Sequence, residues 1–261
     1  MDANTNDAGG GDMLRLEAVG HNFAGLTVLR SVSFSVPRGG IVGLIGPNGS
    51  GKTTLFNAIS GFLSPQTGRI LYRGAPLLER HSIQARSRAG LVRTFRTPRV
   101  FENMTVFENI MVGCCKDANT WMSEDLFRTP RANRALQTIN AMADEACTKF
   151  GLESLRDHPA GNLTAGQRRI LEIARAVVGK PQLLLLDEPS SGLNTDEITS
   201  LQEWIRRLRA EGMTVLLVSH DMGLMAVSDT VHVLYFGEII ASGGMDLIKQ
   251  DARVREVYLG V

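Results

Sequence analysis

The chain has 261 residues, with 28 Lys and Arg against 27 Asp and Glu, for a formal net charge of +1. Near-neutral charge without a basic run excludes a strongly cationic nucleic-acid binder, and no apolar run reaches the roughly 20 residues of a membrane span. Hydrophobic residues make up 43%, which suits one large globular domain or one domain with a lobed insertion.

Residues 1–12 are polar, acidic and glycine-rich, and are expected to form a disordered tail ahead of a domain spanning 13–261. From Met13 to Pro37 apolar and polar residues alternate as in two strands, punctuated by Gly20 and Gly25. Phe23 lies at the turn between them. An aromatic ring there either packs or offers a flat π face to a base such as adenine. Ile41–Ile45 is a short apolar run of buried-strand type. It leads into Gly46-Pro47-Asn48-Gly49-Ser50-Gly51-Lys52-Thr53-Thr54, which reads G-x-x-x-x-G-K-[ST]. Gly46, Gly49 and Gly51 let the backbone curl so that N–H groups point at phosphates. A helix starting near Lys52 adds the positive end of its dipole. The Lys52 ammonium reaches the β- and γ-phosphates, and the Thr53 hydroxyl suits Mg²⁺.

Further on, Arg69–Tyr72 reads as a strand, a polar, basic helical stretch runs to about Arg88, and Gly90–Phe95 reads as another strand ending at Arg96-Thr97-Pro98. Strand patterns then give way to helical periodicity over residues 101–178. Within that block, residues 115–134 are polar and look like a surface insertion, and Arg134–Phe150 reads as a helix. Leu163-Thr164-Ala165-Gly166-Gln167 opens the next helix, with Thr164 and Gln167 as a capping box. It reads either as a well-capped structural helix or as an uncovered amino terminus that receives an anion. The three cysteines, Cys114, Cys115 and Cys147, have no metal-ligand spacing and fit reduced thiols.

Leu183–Leu186 followed by Asp187 and Glu188 is an apolar strand ending in two carboxylates. Downstream of a phosphate loop, Asp187 suits Mg²⁺ through water and Glu188 suits orienting or deprotonating an attacking water. Ser191–Asn194 turns into a helix with an apolar stripe at Ile198, Leu201, Ile205 and Leu208. Met213–Val218 is a further buried strand with His220 just beyond it, and Val231–Tyr235 is another. A histidine there is either structural or faces the crevice at the carboxyl ends of the strands. Gly237 to Val261 is expected to form a hairpin-like turn and a last short helix.

In this order the motifs resemble those of the ATPase subunit of ABC transporters, over nearly the whole length. The resemblance implies an α/β fold: a RecA-like P-loop NTPase core, a small antiparallel β subdomain and an inserted helical subdomain at about 99–178. It implies ATP and Mg²⁺ as cofactors, with Phe23 on adenine and Asn48, Ser50 and Thr54 in the loop around the phosphates. Asp187 would assist Mg²⁺, Glu188 would polarise water and His220 would contact the γ-phosphate. Thr164, Gly166 and Gln167 would bind ATP held by a second ABC ATPase subunit, in a homo- or heterodimer. The remaining partners would be integral membrane permease subunits and, indirectly, a solute-binding protein. The chain would sit peripherally on the cytoplasmic face of the inner membrane.

Arg93-Thr94-Phe95, Phe101–Asn109, Leu171–Arg175 and the ending Val257–Gly260 are most similar to the LivG-type ATPase of branched-chain amino acid importers, a type whose features are shared with importers of urea or amides. Four positions depart from the family pattern, one of them Thr164, which replaces the signature serine and keeps its hydroxyl. Arg96 replaces the Q-loop glutamine, and arginine cannot ligate a cation. Repelled by Lys52 and Mg²⁺, it is expected to point away from the phosphates. Ala165 replaces a signature glycine, and Asn194 an acidic D-loop residue. Arg96 keeps a degenerate or regulatory subunit as an alternative. A non-transport ABC ATPase would show paired domains, coiled-coil arms or a basic surface, none of which is visible, and the absence of N-K-x-D disfavours a GTPase.

Overall fold

The computed structural model describes residues 11–77, 82–114 and 130–259. Alternating side chains make β1 (Asp12–Phe23) and β2 (Leu26–Pro37) an antiparallel pair. Their two-residue connection, Ala24 and Gly25, has φ of 44° and 91°, the conformation whose twist matches that of paired strands. The first strand begins at Asp12, inside the stretch expected to be a tail; residues 1–10 lie outside the described residues. Adding β4 (Thr67–Tyr72) and β5 (Ala75–Pro76) gives a four-stranded antiparallel sheet in the order β2-β1-β4-β5.

The second sheet contains β3 (Ile41–Ile45), β6 (Leu91–Arg93), β7 (Leu183–Asp187), β8 (Thr214–Val218), β9 (Thr230–Tyr235) and β10 (Glu238–Gly243). Its order is β10-β9-β3-β8-β7-β6, parallel except for β10. β3, β7 and β8 are buried at every position, because both faces of the sheet are covered and neither can be polar. Val42, Leu44, Leu183 and Leu185 pack with α1 (Lys52–Ser60) and the antiparallel sheet. Ile41, Ile45, Leu184 and Leu186 face the other way, toward the remaining helices.

Those helices follow α2 (Ile83–Arg88): they are α3 (Val106–Cys114), α4 (Pro130–Lys149), α5 (Ala165–Val177), α6 (Thr195–Ala210), α7 (Met222–Met225), α8 (Met245–Gln250) and α9 (Ala252–Leu259). Helix α4 starts at Pro130, four residues before the expected start at Arg134; proline at the first helical position loses no bond there. Residues 115–129 of the expected surface insertion lie outside the described residues. After Gly237 the chain forms β10 and two helices rather than one. Cys114 and Cys147 are buried thiols, and burial raises the Cys147 pKa to about 11; a thiol shifted that far is inert. Among the described residues no helix is long and apolar enough to cross a membrane.

Candidate functional site

The loop between β3 and α1 takes its shape from its glycines. Gly49 and Gly51 have φ of 82° and 107°, left-handed conformations that a side chain disfavours. Gly46 is required for a different reason: a Cβ there would lie 2.1 Å from the Leu234 carbonyl oxygen. From behind, Gly237 N–H donates to the Ser50 carbonyl at 3.0 Å, and Arg30 N–H donates to the Gly237 carbonyl at 2.8 Å. α1 begins at Lys52 with no side-chain cap and no acidic residue in its first turn. Its free N–H groups and dipole therefore face the loop, as an anion site requires. Lys52 Nζ donates to the carbonyls of Gly46 at 2.6 Å and Pro47 at 2.9 Å. Burial lowers the Lys52 pKa; Glu188 opposes that shift and Arg96 adds to it.

Asn48 to Thr54, Arg96, Asp187 and Glu188 line one cavity of about 540 Å³. A larger cavity of about 690 Å³ opens beside Gly39, Gln182 and Met213, at the amino ends of β3, β7 and β8, and contains none of the motif residues. Asp187 ends β7 and Glu188 follows it with φ of 48°. A non-glycine residue in that conformation stores strain, which is most often found at functional positions. His220, two residues past β8, places Nδ1 2.5 Å from Glu188 Oε2. The strand order thus brings Lys52, Asp187, Glu188 and His220 together at the carboxyl ends of neighbouring parallel strands.

Arg96 does not turn away as expected. It lines the cavity, and its charge is felt at Lys52. Its backbone is held in place: Arg169 Nη1 donates to the Phe95 carbonyl at 2.8 Å and Nη2 to the Arg96 carbonyl at 2.5 Å. Asp187 and Glu188 in the same cavity supply the negative charge that offsets the cations.

Thr53 and Asp187 both border this cavity, one offering a hydroxyl and the other a carboxylate. These are hard oxygen donors, and their small number fits Mg²⁺, which keeps several waters and shares phosphate oxygens. Among the described residues no cluster of three or more His, Cys, Asp or Glu could hold a metal by itself. Asp187 Oδ2 accepts from Arg93 Nη2 at 2.6 Å in a buried ion pair.

Thr164, Gly166 and Gln167 lie elsewhere, bordering a separate cavity of about 320 Å³ with Asn194 and Glu197. The capping box forms: Gln167 N–H donates to Thr164 Oγ1 at 3.2 Å and Thr164 N–H to Gln167 Oε1 at 3.0 Å. Of the two readings of this helix start, the capped one holds, and Gly166 is covered as well. That residue is buried, and a Cβ on it would lie 2.2 Å from Glu197 Oε1. Glu197 is held there by its own capping box with Asn194. Phe23 is 48% exposed at the end of β1, edge-on to His21 at 4.5 Å, and does not border the phosphate-loop cavity.

Three features lie beyond what local sequence pattern encodes. Arg93 reaches Asp187 across 94 residues of sequence. Arg169 and Glu172 form a buried pair that holds the backbone at Phe95, Arg96 and Arg99. Glu197 covers Gly166. A charge at the end of the apolar Leu91-Val92 run was the one available signal, since a buried arginine needs a partner.

The family model described as "ABC transporter" matches residues 29–191. The chain is 38% identical over 252 residues to the high-affinity branched-chain amino acid transport ATP-binding protein BraF of Pseudomonas aeruginosa, covering 95% of this chain and 98% of that one. It is 39% identical over 250 residues to the high-affinity branched-chain amino acid transport ATP-binding protein LivG of Escherichia coli strain K12, with the same coverage. A solved nucleotide-free ATP-binding cassette from an ABC transporter superposes with a TM-score of 0.83 at 30% identity, covering 96% of this chain and all of that one.

Proposed function

Because this chain belongs to the ABC transporter family, we propose that it is the ATP-binding and ATP-hydrolysing subunit of an importer for branched-chain or related hydrophobic amino acids. The observation that carries this reading is the single cavity shared by Asn48–Thr54, Asp187 and Glu188. A loop of N–H donors and a lysine meet two carboxylates there, the combination that phosphoryl transfer needs.

ATP enters with its phosphates on the N–H groups of the loop. Lys52 exchanges the Gly46 and Pro47 carbonyls for phosphate oxygens. Thr53 and Asp187 would hold Mg²⁺, which would supply positive charge against the phosphates. Glu188 accepts a proton from a water whose oxygen bonds to the γ-phosphorus, while the bond to the bridging oxygen breaks and leaves ADP and phosphate. His220 holds Glu188 until the γ-phosphate arrives. Thr164, Gly166 and Gln167 border a different cavity of this chain; the resemblance assigns them to the ATP of a second subunit, which Gly166 meets only once Glu197 moves off it. Adenine is assigned to Phe23, which is 48% exposed.

The described residues of 99–178 are assigned to the lobe that faces the permease. The chain acts peripherally on the cytoplasmic face of the inner membrane, with two ATPase subunits, two permease subunits and a solute-binding protein outside. Reconstitution with the permease subunits tests this: ATP-dependent leucine uptake supports it, and uptake of urea but not leucine overturns the substrate assignment. One observation favours a second reading, of a regulatory subunit with little turnover: Arg96 occupies the cavity where the family has a glutamine. Absence of phosphate release by the reconstituted complex would establish it.

A further inference from the structure

We infer that Arg93 is the positioning residue for Asp187, holding that carboxylate ready for the divalent cation of a bound nucleotide and apart from Lys52. The inference rests on the cavity being the ATP site. Arg93 ends β6, and its side chain is 7% exposed. Both terminal nitrogens of its guanidinium are hydrogen-bonded, while the buried Nε has no hydrogen-bond partner among the described residues. Nη2 donates to Asp187 Oδ2 at 2.6 Å, and Nη1 donates to Asn57 Oδ1 at 2.8 Å and Ser60 Oγ at 2.9 Å, both on α1. The rings of Phe56, Phe62 and Phe95 surround it with centroids 5.6, 5.6 and 5.4 Å from Cζ, an arrangement that favours a planar cation. One arginine therefore ties the helix after the phosphate loop to the end of β7 and to the segment that carries Arg96.

The electrostatics give this tie a function. Asp187 is buried and paired with Arg93, and its charge is also felt at Lys52 and Arg169. A buried carboxylate without a partner is strongly disfavoured. Without Arg93, the Asp187 carboxylate loses its hydrogen-bonded cation and is drawn toward the other positive charges around it, Lys52 among them. The metal then loses a ligand, and the phosphates lose part of their lysine. With Arg93 in place, Lys52 rests on the loop carbonyls instead, and Asp187 keeps a fixed direction. Groups that orient a metal-binding carboxylate from behind typically change metal affinity by about 10- to 100-fold.

The test is the ratio of ATP affinities with Mg²⁺ and with a chelator, measured by calorimetry on the full chain. Arg93→Met is expected to lower that ratio about tenfold, and Arg93→Lys, which keeps a cation beside Asp187, to retain most of it. In an Asp187→Asn background, Arg93→Met is expected to change the ratio no further. A folded Arg93→Met chain with the parent's ratio, or a further fall in the Asp187→Asn background, overturns the inference and leaves Arg93 as a structural tie. Should Arg93→Met not fold, Asn57→Ala loosens the same guanidinium from α1: a smaller fall in the ratio supports the inference, and no fall overturns it. Absence of any ATP binding by the parent would instead defeat the reading of the cavity.

Discussion

Glu188 and His220 are joined side chain to side chain, Oε2 to Nδ1 at 2.5 Å, although they follow different strands. Glu188 is nearly buried at 11% and His220 is 62% exposed, so the histidine is the partner free to move when phosphate arrives. Glu188→Gln is expected to bind ATP and to release phosphate about 10²–10⁴ times more slowly, the usual contribution of a placed acid–base group. Steady-state phosphate release measures this, and parental turnover in the mutant would remove Glu188 from the chemistry.

Gly166 lies under Glu197, which turns a test of dimerisation into one of stability as well. Gly166→Asp sets a carboxylate against Glu197 and displaces it from its cap on α6. The cost is about 1 kcal/mol, the typical value of a lost cap, and denaturant unfolding reads it. In a Glu197→Ala background, Gly166→Asp should lose most of its effect on stability. In a Glu188→Gln background the aspartate is also expected to prevent an ATP-dependent dimer while leaving ATP affinity of the single chain nearly unchanged. A persistent dimer by light scattering would count against the proposed sandwich.

Arg96 shares the cavity with Lys52 and depresses its proton affinity. Its positive charge is therefore available to phosphates when the metal is absent. Arg96→Gln is expected to weaken metal-free ATP binding severalfold, roughly 1 kcal/mol for a charge pair partly screened by water. It should also steepen the dependence of turnover on Mg²⁺ concentration. Unchanged metal-free affinity would show that the side chain makes no phosphate contact.

His232 provides a pH test remote from catalysis. Its ring stacks at a tilt on Phe34 at 4.8 Å and shares a hydrogen bond with Ser242 Oγ at 2.7 Å. Burial lowers its pKa from 6.5 to about 4. Between those values the unfolded chain binds a proton that the folded chain does not, so stability is complete above pH 6.5 and falls as pH drops toward 4. The slope is at most about 1.4 kcal/mol per pH unit. His232→Gln should flatten the slope in that window. An equally steep fall in the variant would assign acid sensitivity to other groups.

The parts of the fold set by local pattern were legible in the sequence. β3, the glycine-rich loop and the start of α1 at Lys52 stand where periodicity and glycine spacing put them, because each depends on neighbours within a few residues. The capping box at Thr164 was legible for the same reason. Arg93 shows in the sequence as a charge closing an apolar run and through a family resemblance, but its bond to Asp187 depends on β6 lying beside β7, which a charge pattern does not encode. Electrostatic repulsion alone would turn Arg96 outward. The competing influence is a buried arginine on α5 that fixes the backbone beneath it. Side-chain placement of this kind follows from tertiary contacts, not from propensity.

The hairpin of β9 and β10 closes against the back of the phosphate loop, with Leu234 touching the Gly46 position and Gly237 bonded to Ser50. The glycine-rich motif is consequently not a portable peptide. Its curvature is moulded by residues far downstream, and a chain cut before β9 keeps every motif residue yet loses the backing that shapes them. In the intact protein the ordering of this loop is completed as the chain folds, so nucleotide meets a ready-made cradle. Association should then proceed in a single kinetic phase, with no slow rearrangement of the loop after encounter.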